Sequence, residues 1–590
     1  MRIESLRIKH FRGVADATLG LDPGLTVLVG ANNAGKTTVL DALKAVLTYR
    51  RGSTAFLDTD FRAERSNADV RDAKPIELIL RIAPTEPPRF EPGELGRAFT
   101  ASIDDEGHEY VCLALKAVYS DELRQIETTL VRLEVDGETG DPDGLGAFPW
   151  RDLMPFSAFG ADRDLQRGMG ARWSDWRRIL SQVRPTPEVL EKVASQFEQG
   201  SKLLVDKTEK LGKIAQALRP VGEALGMPGA DVKLSATPQD PAEILQNVMV
   251  RMKLSGAPRS FSADRHGHGT QGALLFGIYQ LQIDWMLEGG QPGASPVLTI
   301  EEPEAHLHPT AQRAMAAEIR SLRGQVVASS HSPEFVDQVQ GSVALLRSVR
   351  GATSIAVVEA QDRWIRDHSR AIFARCILLT EGFESLMLPL FARALGIDLH
   401  KVGIEVVNAG GQDKMPNIWQ AFGPQGLGLP VVCIADADDE EALTRFLKVA
   451  RTSPLPASQA EIIDALRRHN YFTCEYGEYL ELELARCAAP SIDETLLDED
   501  EKTIEDWRGK RRELPLKKRW RTKLQLEKIG DLQDNTVARA YLLATEKADG
   551  PYLVARLMTQ GGTDDSLIPA RFRAALERAR DLARGDLNPR

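Results

Sequence analysis

The sequence predicts an α/β fold, and three observations carry that reading. Residues 25–47, LTVLVGANNAGKTTVLDALKAVL, give an apolar strand, a glycine-rich turn and a helical pattern in direct succession. Further short apolar runs, at 296–300, 325–330, 376–380 and 430–435, each end at acidic residues or a histidine. Strands apolar throughout and alternating with helical runs imply a parallel sheet covered on both faces, with ligands gathering at the carboxyl ends.

A chain of 590 residues is too long for one core and suggests roughly three or four domains. No run of about 18 apolar residues could span a bilayer as a helix. The opening MRIESLRIKHFRG distributes charge through an alternating pattern, so it reads as an amphipathic strand and not a secretory signal. Cys112, Cys376, Cys433, Cys474 and Cys487 form no CxxC pair, which fits a reducing compartment and places the protein in the cytoplasm. Net charge is −11, yet between Arg508 and Lys523 nine basic residues stand against one acid. That stretch is either a solvated helix face or a surface for phosphate.

Residues 30–38, GANNAGKTT, match GxxxxGK[ST] through Gly30, Gly35, Lys36 and Thr37, with the strand before and helix after that the motif requires. Backbone N–H groups of such a loop, from Gly30, Asn32 and Asn33 to Thr38, curl around phosphates at a helix N-terminus. Lys36 reaches the terminal phosphates and the Thr37 hydroxyl ligates Mg²⁺. ATP with Mg²⁺ is the expected ligand. Acidic partners come late: PVLTIEEPEAHLHP (296–309) ends its strand at Glu301 and Glu302, placed to hold magnesium and polarise an attacking water. A second strand, in QVVASSHSPEF, ends at His331, and GHGTQG (267–272) offers a glycine-rich helix start.

In this order the four motifs resemble the Walker A, signature, Walker B and switch histidine of ABC-type ATPases of the SMC and RecF kind. The resemblance implies that Gly267, Gly269 and Gln271 of one chain close on the nucleotide held by Lys36 of a second copy, with Glu302 and His331 catalytic and Glu301 at the metal. It therefore implies a homodimer or higher homo-oligomer. Glu301 stands where most ABC proteins carry aspartate.

About 260 residues separate loop from acids, more than one compact nucleotide fold needs. Within them Val189, Val193, Phe197, Leu204, Leu211, Ile214, Leu218 and Leu225 recur at spacings near three, four and seven, a helix with one apolar stripe. It either packs on its own head or forms an arm for dimerisation, and it is too short for a long coiled coil.

The last 220 or so residues carry a second set of acids. CILLTEGFES (376–385) is an apolar strand ending at Glu381 and Gly382, and PVVCIADADDEE (430–441) is another ending at Asp436, Asp438 and Asp439. Carboxylates at adjacent strand ends can converge on Mg²⁺, although such acids also serve as helix N-caps. This arrangement resembles the Toprim domain, marked by Glu-Gly after one strand and Asp-x-Asp after a later one. An ABC head followed by Toprim is similar to the OLD (overcoming lysogenisation defect) nucleases, which include the nuclease subunit of Gabija antiphage systems. The resemblance implies Glu381, Asp436 and Asp438 as metal ligands and catalytic residues, Glu478 as a further ligand and Lys547 as the late lysine. The family often has an acid four residues after the first glutamate. Here Ser385 occupies that place and Glu384 precedes it, so either serves the second acidic position.

The resulting expectation is an α/β chain with an ABC-type, SMC/RecF-like head divided as 1–165 and 236–370, a helical dimerisation insertion at 166–235, and a Toprim domain with a basic C-terminal region at 371–590. Its implied activity is an ATP-regulated endonuclease using Mg²⁺ or Mn²⁺, acting on DNA, without a membrane partner, in antiphage defence and with room for a helicase partner. The alternative is a RecF-like ATP-switched DNA clamp with a degenerate Toprim. Strand passage would need a nucleophilic tyrosine, for which Tyr471, Tyr476 and Tyr479 are in range but sit in no recognised motif.

Overall fold

The computed structural model describes the chain except residues 51–55, 64–68, 91–100, 134–139, 142–152, 161–182, 215–250, 254–258, much of 263–293, 475–479, 484–567, 586–590 and single positions between these, among them Asp438. The chain forms two compact units: residues 1–148 with 325–590, and residues 149–324.

The first unit begins with an antiparallel sheet. β1 (Arg2–Phe11) pairs on one side with β2 (Val14–Gly20) and on the other with β4 (Ile76–Ala83), which continues to β5 (Glu109–Ser120) and β6 (Gln125–Leu133). β1 is amphipathic as expected, with Ile3, Leu6, Ile8 and Phe11 in the core, and a register shift between Ile3 and Ser5 interrupts the strict alternation. β3 (Leu25–Val29), buried at every residue, leads through the glycine-rich loop into α1 (Lys36–Thr48), whose Val39, Leu43, Val46 and Leu47 form its buried stripe.

In the second unit β7 (Phe156–Phe159) runs parallel to β8 (Val297–Glu301). Between them in sequence lies α2 (Pro187–Lys207), and α3 (Pro309–Arg320) follows β8. α2 buries Ser201 and Val205, whereas Val189, Phe197 and Leu204 of the apolar stripe are exposed, as is Ile214 beyond its end. Val193 and Leu211 are half-buried, so the described residues cover the stripe only in part; Leu218 and Leu225 lie outside the described residues.

The first unit resumes at β9 (Gln325–Ser330), parallel to β3. β10 (Ser342–Val349) lies parallel on the other side of β3 and turns back antiparallel as β11 (Ala352–Glu359). Buried Gln325 joins this sheet to the antiparallel one: its amide accepts from the Ile3 N–H at 2.8 Å and donates to the Ile3 and Asp22 carbonyls at 2.7 and 2.9 Å. Such a fully used amide fixes the register of two layers that apolar contacts alone would let slide.

The C-terminal part is a parallel sheet in the order β13-β12-β14-β15, built from β12 (Cys376–Thr380), β13 (Ile404–Asn408), β14 (Val431–Ala435) and β15 (Tyr471–Thr473). The central strands β12 and β14 are buried throughout, the pattern of a sheet covered on both faces. Helices α4 (Glu384–Ala394), α5 (Met415–Phe422), α6 (Glu440–Val449) and α7 (Gln459–Arg468) connect the strands. A final helix, α8 (Ala570–Arg584), packs Phe572, Ala575, Leu576 and Ala579 into the core formed by Leu378, Met387, Phe391 and Ile434. Phe572 meets Phe391 edge to face, ring centroids 5.3 Å apart. Arg347 on β10 donates to the Gly428 carbonyl, just ahead of β14, so this sheet is tied directly to the strand beside β3.

Candidate functional sites

The phosphate loop is shaped by its glycines. Gly30 has φ 148°, and Gly35, at the N-cap of α1, has φ 104° in the left-handed region. A Cβ at Gly35 would stand 3.0 Å from the Thr353 hydroxyl. Asn33 is also left-handed, at φ 63°, as asparagine tolerates best among residues with a Cβ. Lys36 is buried and its Nζ donates to the Gly30 and Ala31 carbonyls at 2.8 and 3.0 Å, holding the ammonium inside the loop. Asn32, Asn33 and Thr37 are exposed and Thr38 half-exposed along the helix start. The pairing of Ser330 with Val29 brings the next residues, His331 and Gly30, abreast at the carboxyl edge of the sheet. His331 is followed by Ser332, which caps a short helix at Pro333–Val336.

In the second unit, Glu301 ends β8 and Glu302 follows at φ 44°, a left-handed backbone that a glutamate rarely adopts. A strained acid directly after a buried strand is a recurrent feature of working sites. Gly267, Gly269 and Gln271 lie outside the described residues.

The Toprim acids gather where β12 and β14 end. These strands are parallel neighbours with Thr380 opposite Ile434, so Glu381 and Asp436 emerge at one edge. The Glu381 N–H donates to the Ile434 carbonyl at 3.2 Å, and Glu381 Oε2 accepts from the Asp436 N–H at 3.4 Å. Glu384, in the first turn of α4, is buried and accepts from the Gly382 N–H at 2.8 Å. Burial, and after it the charge of Asp436, pushes its carboxyl up to about 7. Ser385 turns elsewhere: its hydroxyl donates to the Gly382 carbonyl at 2.9 Å and accepts from Asn408 at 3.3 Å. Asp439 is a helix N-cap, accepting from the Ala442 N–H at 3.0 Å, so the run of acids after β14 divides between capping and the site.

Glu381, Glu384 and Asp436 offer oxygen alone, the chemistry that suits Mg²⁺ or Mn²⁺. Glu384, raised first by burial and then by the charge of Asp436, forms with it a pair whose repulsion a divalent cation relieves, and in this respect the residues fit the metal. Among the described residues no three His, Cys, Asp or Glu side chains form a complete cluster. Asp438 and Glu478, which the family resemblance places at the same site, lie outside them, as do Lys547 and the basic stretch 508–523. Tyr471 is fully buried, its hydroxyl donating to the Met415 sulfur at 3.6 Å, and burial holds its proton well above the ordinary value, so it is no exposed nucleophile.

Two residues at the site escaped the sequence reading. Arg571, on α8, is buried; its Nη1 donates to the Ala435 carbonyl at 2.5 Å and its Nη2 to Asp436 Oδ1 at 3.1 Å, and Nε pairs with Glu483 at 2.7 Å. Gln412, in the loop after β13, donates to the Asp436 carbonyl at 2.9 Å. The signal for Arg571 was available: it shares a helical row with Ala575, Ala579 and Ala583, an arginine on an apolar face. Gln412 carries no comparable mark. Among the described residues no helix is long and apolar enough to cross a membrane.

Comparison with known proteins finds two families along the chain. Residues 1–84 and 190–336 match the AAA ATPase domain family, and residues 372–438 match the Toprim domain of overcoming lysogenization defect protein-like sequences. The OLD nuclease of Thermus scotoductus is 25% identical over 473 residues, covering 74% of this chain and 82% of its own. The DNA replication and repair protein RecF of Rhizobium rhizogenes is 26% identical over 359 residues, covering 55% of this chain and 90% of its own. Among solved structures, the C-terminal region of the Xanthomonas campestris pv. campestris OLD protein is 26% identical, with a TM-score of 0.26, and spans 37% of this chain and 97% of its own. An AAA ATPase domain and a following Toprim domain thus share one polypeptide, and its relatives include an OLD nuclease.

Proposed function

We propose that the chain is a DNA endonuclease that uses Mg²⁺ or Mn²⁺ in its Toprim domain and is regulated by ATP at its ABC-type head. The observation that supports this most directly is the emergence of Glu381 and Asp436 side by side at the carboxyl edge of β12 and β14, two neighbouring parallel strands, with the buried Glu384 carboxyl near enough to feel the Asp436 charge. Glu381, Glu384, Asp436, Asp438 and Glu478 hold the cations, and the departure from the family pattern at Ser385 is met by Glu384. Divalent cations, when bound there, supply an activated water and stabilise the leaving 3′ oxygen of a phosphodiester. Lys547 neutralises charge on the reacting phosphate, and the basic stretch between Arg508 and Lys523 attracts the DNA backbone toward an otherwise acidic edge. At the head, Lys36 exchanges the Gly30 and Ala31 carbonyls for phosphate oxygens. Thr37 and Glu301 serve the magnesium, while Glu302 and His331 orient the attacking water. Gly267, Gly269 and Gln271 of a second copy complete the nucleotide site, and the exposed stripe of Val189, Phe197 and Leu204 joins the copies. The setting we propose is cytoplasmic antiphage defence, with a helicase as a further partner.

Plasmid DNA incubated with the purified chain and Mg²⁺ or Mn²⁺, with and without ATP, tests the proposal. We expect metal-dependent nicking or linearisation, lost in Asp436→Ala and Lys547→Ala. Cleavage unchanged in both variants overturns it. The similarity to RecF over half the chain favours a second reading, an ATP-switched DNA clamp. ATP-dependent DNA binding with no cleavage under any metal would select that reading.

A further inference from the structure

Every main-chain polar group flanking the Asp436 side chain is held by a side chain from a different element. The Ala435 carbonyl accepts from Arg571 at 2.5 Å, the Asp436 N–H faces Glu381 Oε2 at 3.4 Å, and the Asp436 carbonyl accepts from Gln412 at 2.9 Å. Arg571 also grips the carboxylate itself, through Oδ1 at 3.1 Å. A strand tip is ordinarily where the ladder stops and the backbone loosens. Here α8 and the loop after β13 tie it down, from residues 135 and 24 positions away in sequence.

We propose that Arg571 and Gln412 are positioning residues of the Toprim site, a clamp that fixes the backbone and carboxylate of Asp436 so that a divalent cation meets it in one place. The inference rests on the reading of this edge as a cation site. Neither residue touches the cation in this scheme; both act through Asp436.

Two features separate this role from ordinary packing. The guanidinium spreads its contacts over a carbonyl, the Asp436 carboxylate and Glu483, the planar fork for which arginine and not lysine is suited. Gln412 is buried, its Oε1 has no hydrogen-bond partner among the described residues, and its Nε2 donates to the Asp436 carbonyl at 2.9 Å and, at a longer 3.4 Å, to the Tyr471 hydroxyl. An apolar residue of similar size would relieve a buried acceptor left without a donor, so the fold gains little from this amide. The shorter of its two Nε2 contacts is the one to the Asp436 carbonyl.

The test is Mn²⁺ binding to the full chain, followed by titration calorimetry without DNA, in Arg571→Lys and Gln412→Leu. Arg571→Lys keeps the charge and loses the fork; Gln412→Leu keeps the volume and loses the donor. We expect the Mn²⁺ midpoint to rise about five- to tenfold in each, converting to roughly 1–1.4 kcal/mol, while the thermal midpoint of Gln412→Leu in chelator stays at or above that of the parent chain. Cleavage of plasmid at saturating Mn²⁺ falls in kcat with KM for DNA unchanged. Midpoints within twofold of the parent in the folded variants overturn the clamp. Should Arg571→Lys fail to fold, Gln412→Leu alone decides, by the same twofold limit. A parent chain with no saturable Mn²⁺ binding overturns the cation-site reading itself and the clamp with it. A parent that binds and variants that bind equally overturn the clamp alone.

Discussion

Gly30 lies so close against Leu346 that a Cβ on it would stand 2.3 Å from the Leu346 carbonyl oxygen. The contact is backbone to backbone, between the phosphate loop and β10, and no rotamer change can relieve it. Gly30→Ala therefore displaces the loop from the strand that supports it. We expect at least a hundredfold loss of affinity for a fluorescent ATP analogue, with about 2 kcal/mol or more lost in denaturant unfolding. Nucleotide binding at parental strength in this variant would mean that the loop reshapes freely.

Glu384 sets a pH dependence of stability. Its carboxyl rises from the ordinary 4.5 to about 7 because burial and Asp436 disfavour the charged form. The folded chain thus holds this proton more tightly than the unfolded chain, and stability is greatest below pH 4.5 and is lost as pH climbs to 7. In chelator the contribution amounts to roughly 3 kcal/mol at most. Thermal midpoints from pH 5 to 8 should fall for this reason, and Glu384→Gln should flatten that part of the profile. Added Mn²⁺ should restore stability most at the alkaline end, where the deprotonated carboxyl binds it best.

Glu302 keeps a left-handed backbone at φ 44°. Glycine adopts that conformation without steric cost, whereas a residue with a Cβ loses about 1–2 kcal/mol there. Glu302→Gly should therefore leave stability unchanged or raise it by up to about 1 kcal/mol, despite deletion of a whole side chain. ATP turnover, measured as phosphate release, should fall at least tenfold in the same variant. A destabilised Glu302→Gly chain would locate the value of this residue in the fold instead of in chemistry.

α8 closes one face of the Toprim sheet, and Phe572 is its largest fully buried side chain. Phe572→Ala removes an edge-to-face partner of Phe391 and leaves a cavity among Leu378, Met387 and Ile434. We expect a loss of about 3–5 kcal/mol in denaturant unfolding. Ala579→Leu should also destabilise, by about 1–3 kcal/mol, because the small residues of this helix set its distance from β12.

Much of this arrangement was legible in the chain itself. Gly30, Gly35 and Lys36 were readable because the loop conformation demands those residue types at fixed spacing. β12 and β14 were readable because strands buried on both faces must be apolar throughout. The same strands named Glu381 and Asp436, since a buried run ending in an acid marks the point where the sheet meets solvent. What could not be read was which acids after β14 face the site: Asp436 pairs with Arg571 while Asp439 caps α6, and the two look alike in sequence. The left-handed turn at Glu302 and the reach of Gln412 were hidden for a similar reason. Both are products of tertiary contact with no local periodicity to announce them.

Arg571 follows Asp436 by 135 residues. During synthesis Glu381 and Asp436 leave the ribosome well before the helix bearing this guanidinium, and Leu378 and Phe391 await the apolar face of that helix. The helix that fastens the sheet is made after every strand it fastens, so a product terminated ahead of it would carry Glu381 and Asp436 in the right order and still lack the guanidinium that holds Asp436 in place.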